Sequence, residues 1–97
     1  MGFHSSHGKI HWSFGNYTKF ISELHDILND REVEQFNIFD AHAHSENGYD
    51  PEKCKSLAEI LSGSIQYVYK DDTKARLEQL IEALREAHAA KEPLRFI

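Results

Sequence analysis

The chain carries one cysteine, two prolines and no apolar run near the ~18 residues that a membrane-spanning helix requires. A lone cysteine closes no internal disulfide, so the chain reads as a soluble protein of a reducing, cytoplasmic setting. The opening M-G-F-H-S-S-H holds no signal-like apolar stretch, and Phe3 with its neighbouring histidines fits a myristoylation pattern on Gly2 poorly. There is no C-x-x-C pair, and no H-x(3–5)-H set accompanies a cysteine pair, which excludes the familiar zinc-finger spacings. Repeats, linkers and low-complexity segments are absent too.

With 97 residues, 40% of them hydrophobic, the chain suits a single domain over 1–97, with 1–7 expected to be flexible. A core in a chain this short competes with any deep cavity for side chains, so function at the surface is favoured. The formal charge of −5 is unevenly spread. Residues 21–52 hold nine acids against Arg31 alone, whereas the segments on either side are close to neutral or basic. Such a middle repels nucleic-acid phosphates and steers basic partners inward, so nucleic acid and membrane are not expected as partners.

Lys9 to Phe14 alternates Ile10, Trp12 and Phe14 with polar residues, the pattern of a half-buried strand. Asn16 then suits the cap of a helix whose buried stripe is Tyr17, Phe20, Ile21, Leu24, Ile27 and Leu28. Arg31 to Phe39 fits either period and is read as a short helix. Asp50-Pro51-Glu52 opens a helix carrying Cys54, Leu57, Ala58 and Leu61 on one face, with Gly63 as its stop. Ser64 to Lys70 reads as a β-prone connector. A long helix from Asp72 or Thr73 follows, with Leu77, Leu80, Ile81, Leu84 and Ala87 inward and Pro93 ending it. Leu94 to Ile97 is expected to be a strand pairing with Lys9 to Phe14. The fold class expected is therefore α+β: three main helices on a small antiparallel sheet made by the N- and C-terminal strands.

Chemistry concentrates in D-A-H-A-H-S-E-N-G-Y-D-P-E-K-C, from Asp40 to Cys54. His42, His44 and Cys54 are the candidate zinc ligands, with Glu46, Asp50 or an N-terminal histidine as a fourth. Against that, Cys54 falls on an apolar helix face, where a thiol behaves as a small hydrophobe. Ile38 to His44 is similar to the H-x-H strand-end motif of the amidohydrolase superfamily over seven residues. That chemistry needs a barrel of about 250 residues to supply further ligands, so metal-dependent hydrolysis is a minor expectation. Ser45 to Asp50 resembles a calcium loop only faintly, because Cys54 stands where a bidentate acid belongs. Cys54 with either histidine lacks an orienting third group for nucleophilic catalysis. Trp12, Phe14, Tyr17 and Phe20 suit either core or the wall of a small-ligand site; Tyr67 and Tyr69 suit a partner surface.

Three segments together resemble a family of small bacterial proteins. That family opens with an aromatic-S-Y-x-x-F stretch, carries N-H-S-D-C-D-G and then P-E-x-C, and ends on an L-x-F strand. The counterparts are Trp12 to Tyr17, His44 to Gly48 with Pro51 to Cys54, and Leu94 to Phe96. The turn here is shorter and lacks the family's cysteine and one aspartate. The resemblance implies a helix-rich α+β domain closed by terminal strands, and no activity.

The functional expectation is a small acidic non-enzymatic protein that recognises a basic protein partner, as an inhibitor, immunity-type or regulatory protein does. Its surface comprises Glu23, Asp26, Asp30, Glu32, Glu34, Asp40 and Glu46, with Tyr67 and Tyr69 as anchors. The alternatives are a zinc-type domain using His42, His44 and Cys54, with no other cofactor expected, and a small-ligand site on the aromatic strand and helix. An exposed sheet edge leaves a homodimer open.

Overall fold

A computed structural model describes residues 2–97; Met1, at the head of the stretch expected to be flexible, lies outside the described residues. The elements run β1 (Gly2–His4), β2 (His11–Ser13), α1 (Phe14–Ile27), α2 (Asp30–Ala43), α3 (Pro51–Ser64), a single 3-10 turn (Ile65–Tyr67) and α4 (Asp71–Ala90).

This corrects the expected three helices on a terminal sheet. Four helices make up most of the chain, and the only ladder among the described residues is the three-residue antiparallel pair β1–β2. The expected strand Lys9–Phe14 is cut short because Ser13 caps α1: its Oγ accepts the Asn16 amide at 3.1 Å, so Phe14 is already helical. Ile10 and Trp12 keep the inward side of the alternation, while Phe14 is left 64% exposed. Leu94–Ile97 is extended, but its neighbours are not residues 9–14. It lies between the N-terminal arm and the turn after α2, bridging Ser5 through Phe96 and Tyr49 through Leu94. Backbone bonds from Ile97 to His4 (2.7 Å), Ser6 to Arg95 (2.7 Å), Phe96 to Ala43 (2.8 Å) and Leu94 to Tyr49 (3.0 Å) fix it on both sides.

The stretch read as a short helix is a full one. Asn29 accepts the Glu32 amide at 2.9 Å while Glu32 accepts the Asn29 amide at 3.1 Å, a reciprocal box that satisfies two otherwise orphaned donors and starts α2 at Asp30. Phe36, Phe39 and Ala43 then share its buried face. Asp50 caps α3 by accepting from the Glu52 amide at 2.7 Å, with Pro51 in the first turn as the sequence implies. Gly63 does not stop α3, which runs on to Ser64 and into the 3-10 turn. α4 ends before Pro93, at Lys91, which adopts a left-handed φ of 57° and donates its amide to Ala87 and His88.

The core has two textures. α3 and α4 pack against one another, with Leu57, Leu61, Leu77, Leu80, Leu84 and Ala87 all buried, while the buried Ala83 of α4 lies against Gly8 in the turn between β1 and β2. α1, α2 and the C-terminal segment instead bring together Phe20, Phe36, Phe39, Tyr49 and Phe96 in mostly edge-on ring contacts of 5.1–6.5 Å. Each such ring removes apolar area worth about 1.5–3 kcal/mol from water.

Candidate functional site

The Asp40–Cys54 stretch is divided by its secondary structure. D-A-H-A-H lies on the last turn of α2 and its cap, not at a strand end, and on a helix residues two apart point away from each other. Asp40 and His44, four apart, share a face; His42 does not, and it is exposed beside Asn47, Gly48 and Pro51. Cys54 is fully buried, its thiol 3.9 Å from the Tyr49 carbonyl. The three candidate zinc ligands are therefore not brought together. Among the described residues no group of three or more His, Cys, Asp and Glu side chains is placed to hold a metal ion. Burial pushes the Cys54 thiol up to about 11, with the Asp50 carboxylate adding to the rise. A thiol held protonated is a poor nucleophile and a poor ligand.

What Asp40 and His44 do meet is Tyr17. The Tyr17 hydroxyl donates to Asp40 Oδ1, and burial first, then this bond and the carboxylate charge, push the phenol far above its ordinary range. His44 Nδ1 lies 2.8 Å from the Asp40 backbone carbonyl; a carbonyl only accepts, so Nδ1 carries the proton. The imidazole packs against Tyr17 at 5.6 Å and Phe96 at 5.0 Å. The aromatic set weighed as a ligand wall is mostly interior: Trp12, Tyr17 and Phe20 are buried, and the Trp12 indole donates to Gln79 at 2.8 Å.

The acidic residues separate into distinct environments. Asp40 is bound to Tyr17, and Glu32 is held in the α2 capping box. Asp30 and Glu34 flank a shallow depression along α2 that includes Ile38 and His42. Glu46 is exposed in the turn after α2. The remaining two, Glu23 and Asp26, come from the second half of α1 and line a cleft of about 340 Å³ whose opposite wall is Tyr67 to Lys70 and Thr73. Both candidate anchor tyrosines belong to that wall, 66% and 88% exposed. Within it Lys70 Nζ reaches Glu23 Oε1 at 3.4 Å, whereas Glu23 Oε2 is buried and, among the described residues, has no hydrogen-bond partner. Sequence reasoning missed Lys70, Val68 and Thr73 as parts of this wall. For Val68 and Lys70 the only signal was their adjacency to the two tyrosines, and Thr73 lies four residues beyond Tyr69.

No family model, curated protein or solved structure matches this chain. No helix among the described residues is long and apolar enough to cross a membrane.

Proposed function

We propose that this chain is a small, non-enzymatic binding protein of the cytoplasm that takes a basic segment of a partner protein into the cleft between α1 and Tyr67–Thr73. The observation that carries the reading is the convergence there of four residues of mixed but complementary chemistry: Glu23, Asp26, Tyr67 and Tyr69. Carboxylates supply the charge for an incoming lysine or arginine, and the exposed rings supply flat apolar faces for its stem, a cation over such a ring gaining about 0.5–1 kcal/mol. Glu23 supports the case as a carboxylate only partly satisfied, Oε1 pairing with Lys70 while Oε2 has no hydrogen-bond partner among the described residues. Inhibitor, immunity-type and regulatory roles all use such a surface.

The test is an amide chemical-shift titration with a short acetylated Lys/Arg peptide at low and at near-physiological salt. Shifts centred on α1 residues 23–27 and on 67–73, weakened by salt and lost in Glu23→Gln with Asp26→Asn, support the reading. Salt-insensitive binding, or shifts centred elsewhere, would overturn it, since exposed charges are screened over about 8–10 Å.

A further inference from the structure

Away from the cleft, β1 and β2 place two histidines directly opposite one another. His4 and His11 are cross-strand partners, and their rings lie 4.1 Å apart between centroids, tilted by 30°. The ladder explains the closeness. His4 sends its amide to the Ile97 carbonyl and accepts the Ile97 amide, at 3.3 and 2.7 Å, so both its backbone groups face the C-terminal segment. Towards β2 it is therefore a non-hydrogen-bonded pair, the type with the shorter Cα separation, about 4.5 Å, and the closer side chains. Both imidazoles are exposed, and among the described residues neither makes a hydrogen bond. His7, in the intervening turn, is by contrast engaged, with Nε2 3.0 Å from Glu92 and Nδ1 2.9 Å from the Ser6 hydroxyl.

We propose that His4 and His11 together bind a divalent transition-metal ion of the zinc class, solvent filling the other coordination positions. Imidazole is the nitrogen ligand such ions favour, and two ligands at about 2.1 Å on a tetrahedral ion sit about 3.4 Å apart. The pair faces across the ladder with both side chains exposed, so the imidazoles, now 4.1 Å apart, reach that arrangement by turning about χ1 and χ2 to swing one nitrogen each towards a shared ion, the backbone staying in place. The ion links β1 to β2 and so pins the N-terminal arm that holds the C-terminal segment. This site is independent of the acidic cleft and of His42, His44 and Cys54.

The experiment is isothermal titration of the untagged full chain with zinc chloride, alongside thermal melts with and without the metal. One equivalent bound by the wild type, weakened at least about tenfold by His4→Ala and by His11→Ala but unchanged by His7→Ala and His42→Ala, is expected. The melting temperature rises with zinc in the wild type and not in the two pair variants, because an ion that binds only the folded ladder stabilises it. Both positions are exposed, so circular dichroism of the variants should match the wild type. Absence of one-equivalent binding, or binding that survives both substitutions or disappears with His42→Ala instead, overturns the assignment.

Discussion

The buried thiol makes alkaline stability a quantitative test of the packing around α3. Cys54 is raised from an ordinary 9.0 to about 11, and Tyr49, above it, is pushed from 10.0 up to about 12 by burial first and by the neighbouring Cys54 and Asp50 charges after it. A group raised on folding contributes stability that is complete below its unfolded value and is lost as pH climbs towards its folded value. At pH 8 all of it is present. By pH 10 the unfolded thiol is mostly ionised while the buried one is not, which costs on the order of 1 kcal/mol. Tyr49, and Tyr17 displaced in the same direction, add a few tenths of a kcal/mol each at that pH, because unfolded phenols are then half ionised. The wild type should lose about 2 kcal/mol between pH 8 and pH 10, and Cys54→Ala only about 1 kcal/mol, whatever the fixed cost of removing the sulfur. Urea unfolding followed by far-ultraviolet circular dichroism reads the difference as about 1 M in midpoint, given a slope of about 1 kcal/mol/M for a chain of this size. Equal losses in the two proteins would mean that the thiol is not held protonated, and the reasoning from its burial would fail.

Asn29→Ala should lower unfolding stability by about 1 kcal/mol, up to 2, by removing the α2 box, and denaturant titration measures it. Gly48→Ala and Gly63→Ala should have opposite signs in thermal melts. Gly48 holds φ at 74° with the Arg95 Cγ only 2.6 Å from where a Cβ would lie, so about 2 kcal/mol or more is lost; Gly63 is helical with open space around it, so about 0.5–1 kcal/mol is gained.

The long helices were legible where caps and periodicity agreed. Asp50-Pro51-Glu52 opens α3 as read, and Leu77, Leu80, Ile81, Leu84 and Ala87 are all on the buried face of α4. α2 was half seen: Val33, Phe36 and Ile38 fit two periods at once, and the deciding signal was Asn29 three residues before Glu32, which marks a helix start. The terminal strands failed for a related reason. Alternation over Ile10, Trp12 and Phe14 is real for two residues, but a serine cap at Ser13 outranks it at the third. A histidine pair separated by one residue converges only on a strand, so the zinc reading of His42 and His44 fell with the helix assignment. The cleft was legible residue by residue, through the tyrosines and two of the acids, but not as a place. Asp26 and Tyr69 are far apart in sequence, and their meeting depends on how the end of α1 approaches the start of α4. The Tyr17–Asp40 bond was invisible for the same reason.

Leu94 to Ile97, wedged between the N-terminal arm and the end of α2, is synthesised after everything it touches. Until it arrives, Phe39, Tyr17 and Tyr49 lack their last neighbour, and the amide and carbonyl of His4 wait for Ile97. Its closure joins residues some ninety positions apart, the kind of long-range contact that sets the pace of folding.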